Sequence, residues 1–262
     1  MNKNYKLTLI ACYFGYIIQA IVNNLSPLLF VRFSTQFGIS EFQITFIVFL
    51  NFAVQILVDS SSAVIAMKLG YRLSTIIAQI CSALGLIFLG TLPFIMPPYA
   101  GILIATFFMA IGGGFVEVVL SPLVEALPLK NKSGAMCFLH SFYCWGHILV
   151  VLAATAFFSV FSIEKWIFLP IALAVLPAVN CILFAKCPIE TLEGDDDPMT
   201  YKSIFKMKGF LLFMVLMIAS GAAEQAIAQW ASYFAEISLN VSKTTGDLMG
   251  TCLFALGMAI SR

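Results

Sequence analysis

The sequence predicts an all-α polytopic membrane protein, and three observations predict it. Hydrophobic residues make up 61% of the 262-residue chain and charged residues 10%. A soluble domain is about 45–50% apolar and about 25% charged. Apolar runs of about 20 residues, enough for a helix to cross a bilayer, follow one another along the whole chain. Short polar connections separate them, and Lys and Arg collect on every second connection. The lipid bilayer is therefore the first partner the chain requires.

Eight runs qualify, at Leu7–Val31, Phe42–Met67, Leu73–Ile95, Tyr99–Leu123, Ala135–Val160, Trp166–Ala185, Gly209–Ala235 and Leu248–Ser261. The first is too long, and too polar at Gln19, Asn23 and Asn24, for a cleaved signal peptide. Placing the N-terminus inside puts Lys3, Lys6, Lys68, Arg72, Lys130, Lys132, Lys186, Lys202, Lys206 and Lys208 on inner segments. Arg32, Lys165 and Lys243 fall on outer ones, and Arg262 lies at an inner helix end. Positive charge marks the cytoplasmic side. The expectation is a multi-pass protein of the cell (plasma) membrane with a cytoplasmic N-terminus.

One connection is long. "KCPIETLEGDDDPMTYKSIFKMK" divides the chain into a six-helix N-terminal transmembrane bundle (1–185), a cytoplasmic central loop (186–208) and two further helices (209–262). Its "EGDDDP" reads as a solvated acidic linker, and "YKSIFKMK" as a basic amphipathic stretch on the membrane surface. Glu164–Lys165 opens the sixth helix and anchors it. A six-plus-two division is unbalanced, so the expectation is a chain truncated after helix 8, with an incomplete C-terminal bundle.

Composition excludes several functions. The net charge of +1 leaves no basic face for nucleic acid. The seven cysteines lie mostly in apolar runs without CxxC spacing and read as packing residues. His140 and His147 are the only histidines, with no HExxH pattern, so no metal site is expected. No GxSxG elbow or serine–lysine pair stands out. No cofactor is expected, nor is the chain expected to be an enzyme.

Ionisable groups inside a membrane mark function by default. Here they are Asp59 in the second run, Glu117 in the fourth and Glu224 in the seventh, with His140 and His147 in the fifth. Polar residues recur at helical spacing. Gln19, Asn23 and Ser26 form one stripe, and Asn51, Gln55, Asp59 and Ser62 another. Glu117, Ser121 and Glu125 form a third. Gln225 and Gln229 form a fourth, beside Glu224 and Trp230. Such stripes either face a shared water-filled cavity or bind helices together by hydrogen bonds. Asp59, nearer the inner end of its helix, reads equally as a gating contact. Glu125 reads as an interfacial, solvated carboxylate. Glu117 lies about eight residues from the inner end, too deep for a short side chain to reach the headgroups. Gly112, Gly113 and Gly114 precede it and let a neighbouring helix approach closely. "LSPL" occurs at Leu25–Leu28 and again at Leu120–Leu123, in helices that an inverted three-plus-three repeat would relate.

The loop between the second and third runs reads "MKLGYR". The motif G-x-x-x-D-[RK]-x-G-x-[RK] is matched at Lys68, Gly70 and Arg72, with Ala63 and Met67 at the Gly and Asp positions. With this loop and the long central connection, the chain resembles the major facilitator superfamily. "GGGFVE" and "MCFLHSFYCWG" are similar to its fucose-permease-like branch of sugar–proton symporters. The resemblance implies that Glu117 helps to carry a proton and contacts a sugar. It also implies alternating access with a small solute and protons as partners. That branch has an acid in helix 1, where this sequence reads "VNNLSPLL" and offers Asn23 and Asn24. Glu224 and Asp59 are the other candidates for proton coupling. Gln19, Asn51, Gln55, Tyr143, Trp145, Gln225, Gln229 and Trp230, with the two asparagines and two histidines, supply the amide and aromatic groups of a sugar site. The alternatives are an exporter of drug-like amphipathic compounds, a facilitator without proton coupling, and a non-transporting receptor or scaffold. Lys68 and Arg72 are expected at the cytoplasmic face, with Asp59 or Glu125 as partners in one conformation.

The orientation predicts that cysteine placed at Arg72, in a background without reactive native cysteines, is modified by an impermeant thiol reagent only from the inside. Modification from the outside would reverse the topology.

Overall fold

A computed structural model of the protein describes residues 5–189, 205, 207 and 209–261, without the side chains of residues 62–64 and 67. The readings of Lys3, "EGDDDP", Lys202, Lys206, Lys208, Arg262 and the Ala63, Met67 and Ser62 side chains lie outside the described residues, as does most of "YKSIFKMK". Among the described residues the fold is all-α, and seven helical runs are long and apolar enough to cross a membrane.

The first run is α1 (Tyr5–Asn24), a 3-10 turn at Pro27–Leu29, and α2 (Phe30–Phe37). It is expected as one helix and is broken near its middle. Pro27 has no N–H to give the Asn23 carbonyl four residues earlier. Asn24 folds back and donates from Nδ2 to the Ala20 carbonyl at 2.8 Å. Gly38 (φ +66°) then ends α2 in the left-handed conformation that glycine adopts without a Cβ penalty.

Four long helices follow, α3 (Glu41–Leu69), α4 (Tyr71–Ile95), α5 (Pro98–Ala126) and α6 (Lys132–Phe161). Ser40 and Gln43 form a reciprocal capping box at the start of α3. Asn131 accepts the Gly134 N–H at 2.9 Å at the start of α6. The sixth run is α7 (Phe168–Leu173) and α8 (Val175–Lys186), and the seventh is α9 (Phe210–Ser238). The eighth run begins earlier than expected, with α10 (Lys243–Gly246), a π turn at Asp247–Cys252 and α11 (Leu253–Ser261). Nine residues of α-helix at 1.5 Å each fall short of a bilayer core of about 30 Å, so α11 alone does not span one. The second "LSPL" differs from the first, because Pro122 lies inside an unbroken α5 that ends four residues later.

α5 is the hub, packing on α4, α3, α1 and α6, while α1 also packs on α6 and α8. Two buried apolar clusters hold the ends of the bundle. At the N-terminal end Cys12, Tyr16, Phe115, Val119, Leu139 and Phe184 pack together. At the far end Trp166 is fully buried among Phe33, Phe37 and Phe94, and its Nε1 donates to Gln36 Oε1 at 2.9 Å. The seven cysteines are free, and Cys12, Cys144 and Cys187 are buried.

In this conformation Arg72 pairs with neither Asp59 nor Glu125 and crosses to the end of α8. There its guanidinium donates to the carbonyls of Phe184 (3.1 Å), Ala185 (2.6 Å) and Cys187 (2.9 Å). The last carbonyls of a helix have no intrahelical donor and carry its negative dipole end, so they accept well from a forked cation within reach. Lys68 is exposed in the last turn of α3. Gly70 (φ +83°) makes the tight turn into α4. Thr8 Oγ1 donates to the Pro188 carbonyl at 2.7 Å and ties α1 to the same end.

Gly112 packs without a Cβ against the backbone of α4. A Cβ there would lie 2.8 Å from the Ser82 nitrogen and 2.9 Å from the Ala78 oxygen. Gly112→Ala is expected to destabilise the protein by about 1–3 kcal/mol through overpacking. Gly221 in α9 has open space around it, so Gly221→Ala is expected to be neutral or stabilising. Thermal unfolding in detergent measures both.

Candidate functional site

The helices line an open cavity of about 520 Å³. α1 contributes Tyr16, Gln19 and Asn23, and α3 contributes Phe52, Gln55, Ile56 and Asp59. α5 contributes Glu117, α6 His140 and Tyr143, and α9 Met217, Ser220, Gly221, Glu224 and Gln225. Four of the expected stripes and the fifth-run histidine position thus meet on one space. The three ionisable candidates, Glu117, Glu224 and Asp59, all line it.

The triple glycine brings the walls together. Gly112 faces α4. A Cβ on Gly113 would lie 3.2 Å from Asn23 Oδ1 and 3.5 Å from Gln55 Nε2. One on Gly114 would lie 3.0 Å from Val58 Cγ1 and 3.2 Å from Asp59 Oδ1. Three consecutive positions on a helix point in three directions, so one missing Cβ after another lets α5 close on α4, α1 and α3 together.

The polar groups are wired to one another. Gln19 donates from Nε2 to Glu117 Oε2 at 3.0 Å. Gln55 donates from Nε2 to Asn23 Oδ1 at 2.7 Å. Tyr16 shares a hydroxyl hydrogen bond of 2.8 Å with Ser121 and meets the His140 ring edge-on at 5.4 Å. Asn24 is buried behind the cavity and donates to the Tyr143 hydroxyl at 3.3 Å, so it supports a wall residue. Glu117 is therefore reached by a neutral donor, which satisfies a carboxylate without placing a fixed positive charge beside it.

Several expected cavity residues lie elsewhere. Asn51 and Gln229, with Ser26, line a void of only about 10 Å³ toward the far end, beyond Asn23. Trp230 packs on Phe30, with ring centroids 5.8 Å apart. Trp145 is 51% exposed on the outer surface of the bundle. His147 is fully buried where α6 packs on α1, although seven residues put it on the His140 side of the helix. Gly146 lets the α1 backbone come so close there that no open space is left. Tyr16, Phe52, Ile56, Met217, Ser220 and Gly221 were not expected. Tyr16 lies one turn before Gln19, and Met217, Ser220 and Gly221 lie one and two turns before Glu224. Extending the α1 and α9 stripes backwards would have found these four, whereas Phe52 and Ile56 are apolar neighbours of Asn51 and Gln55 within the α3 stripe. Glu125 is exposed. Among the described residues no group of three or more His, Cys, Asp or Glu is placed to hold a metal ion.

The family model of the Major Facilitator Superfamily matches residues 12–262. The chain belongs to this superfamily. The match takes in the first long helical run from residue 12 and all of the later ones with α10 and α11, so the site described above lies wholly within superfamily sequence. No curated protein matches the sequence. Solved structures similar to this superfamily member include a crystal structure of a D-xylose-proton symporter, with a TM-score of 0.73 and 13% sequence identity. The likeness covers 97% of this chain and 66% of that one, and at such identity it is a likeness of fold. The chain thus spans a little under two thirds of that symporter's length.

Removing the Gln19 donor tests the wiring. Gln19→Leu is expected to strand the Glu117 carboxylate beside an apolar group and to lower stability at neutral pH by about 1–3 kcal/mol. Thermal unfolding of Gln19→Leu with and without Glu117→Gln measures the coupling. The second change is expected to recover most of the loss.

Proposed function

We propose that the protein is a secondary transporter of a small polar solute, a sugar by preference, coupled to protons by alternating access in the plasma membrane. In this reading the N-terminal end of the bundle is cytoplasmic and the far end faces outside. The six-helix part (1–185) and the helices after residue 208 form the two bodies that move, with the central loop (186–208) between them.

The observation that carries the reading is Glu117, held by Gln19 at the wall of a polar cavity within the bundle. Its carboxyl is the coupling group. Glu224 faces the same space from α9, so the two bodies each present a carboxylate. Hydroxyl and amide groups of Tyr16, Tyr143, Gln19, Asn23 and Gln55 offer both donors and acceptors to a hydroxylated solute. Phe52 supplies an apolar face for the carbon side of a ring. The superfamily match and the likeness to a sugar–proton symporter support the same reading. Phe52, Ile56 and Met217 beside three acids also suit an amphipathic cation, which keeps the exporter as the second reading.

The mechanism follows from one proton. With Glu117 protonated and the site open outside, the solute is held. After reorientation the proton leaves to the inside and the solute is released. Glu117→Gln fixes the neutral form. Solute exchange, which needs no net proton movement, is expected to persist in part in proteoliposomes, while uphill accumulation falls to background. Glu125→Gln, at an exposed position, is expected to leave both unchanged. A Glu117→Gln protein that accumulates solute with the normal pH dependence would transfer the role to Glu224 or Asp59.

A further inference from the structure

Two backbone carbonyls of the broken first run are taken by side chains from the other end of the chain. The Asn23 carbonyl, which loses its helical donor because Pro27 has no N–H, accepts a hydrogen bond from Gln229 Nε2 of α9 at 3.2 Å. The Leu28 carbonyl, in the 3-10 turn that follows, accepts one from Lys243 Nζ at the start of α10. Between them Trp230 lies on Phe30. Lys243 is itself fixed from behind by Asp247 at 3.1 Å and Glu236 at 3.4 Å, and Asp247 is fixed by Ser232. The buried residues of α9 are Ala228, Gln229, Ser232 and Ala235, all in the half that faces these carbonyls.

From this geometry we infer that the Pro27 break is the seat of a latch that shuts the far end of the molecule, with Gln229 and Lys243 as its two bolts. The inference goes beyond the transport reading and uses from it only that the far end faces outside. An ordinary helix would hold the Asn23 carbonyl in its own ladder and leave Gln229 only the second lone pair of that oxygen. Proline makes that acceptor available. The bond is reversible, because water reaching an opened far end can replace either side chain. Asn23 also joins the latch to the cavity. Its side chain accepts from Gln55 at the cavity wall while its carbonyl holds Gln229, so a solute that shifts Gln55 or Asn23 loads the bolt directly.

Ser26 reports on the latch. It is 6% exposed and lines the narrow void behind Gln229, so from outside it is reached only when the far end opens. In a protein of this sequence with its native cysteines replaced, Ser26→Cys is treated with an impermeant maleimide on the outside of vesicles. Slow modification is expected, rising roughly fivefold in Gln229→Leu, as for the loss of one hydrogen bond. Lys243→Met combined with Asp247→Asn, which avoids stranding the carboxylate, is expected to raise it at least as much. Pro27→Ala returns the donor to Asn23 and is expected to raise the rate as well. In that background Gln229→Leu should add much less than fivefold, because the restored N–H shares the acceptor and weakens the bond that is lost. Gln229→Asn, too short to reach, keeps the test open if leucine prevents folding. Unchanged inside labelling of Lys68→Cys confirms that each variant is folded. An unchanged rate in Gln229→Leu, or a full further rise in the Pro27→Ala background, would overturn the latch. No solute is needed, so the result stands apart from that of the transport assay.

Discussion

The close approach of α5 to three neighbours at once sets the rest of the structure. Gly112, Gly113 and Gly114 leave no Cβ between α5 and α4, α1 or α3, and helix backbones in lipid approach this closely only through small residues. A single glycine would have admitted one neighbour. Three in sequence admit three, because successive positions turn by about 100° around the helix axis. Asn23, Gln55 and Asp59 are thereby drawn in beside the helix that carries Glu117. Wider spacing would put lipid or packed side chains where the cavity now lies.

A bilayer has no water to satisfy stranded backbone groups, so each irregularity needs a partner inside the protein. The break at Pro27 meets this demand twice, with Gln229 taking the Asn23 carbonyl and Lys243 that of Leu28. At the opposite end Arg72 does the same for the last turn of α8. The two "LSPL" stretches share four residues and differ in how much helix continues beyond the proline.

A cation-poor wall gives the cavity its chemistry. Asp59, Glu117 and Glu224 line it without any Lys or Arg among the lining residues, and the donor that reaches Glu117 is an amide. A guanidinium in the place of Gln19 would hold the carboxyl ionised, whereas an amide tolerates either protonation state. On the proposed transport reading, that tolerance suits a group that exchanges a proton in each cycle. Tyr143, steadied by Asn24, and Tyr16, steadied by Ser121, keep hydroxyls aimed at the same space.

The sequence by itself determined the fold class and seven of the eight expected spans, because about 20 apolar residues in lipid form a helix in which backbone groups find their partners locally. It also determined which helices carry polar stripes, since spacing of three and four residues fixes a face whatever the neighbours are. Gln19, Asn23, Gln55, Asp59, Glu117, His140, Tyr143, Glu224 and Gln225 were legible on that ground. Only the tertiary structure decided where each stripe stops facing the cavity. Asn51 and Gln229 continue their stripes in register yet lie past the point where α1 bends and the space closes. His147 shares a side of α6 with His140 but sits where Gly146 brings α1 too near for a cavity. Arg72 shows the same limit. Its charge and its end of the membrane follow from the sequence, but its partners are carbonyls of a helix more than a hundred residues away, and only packing brings those within hydrogen-bond reach.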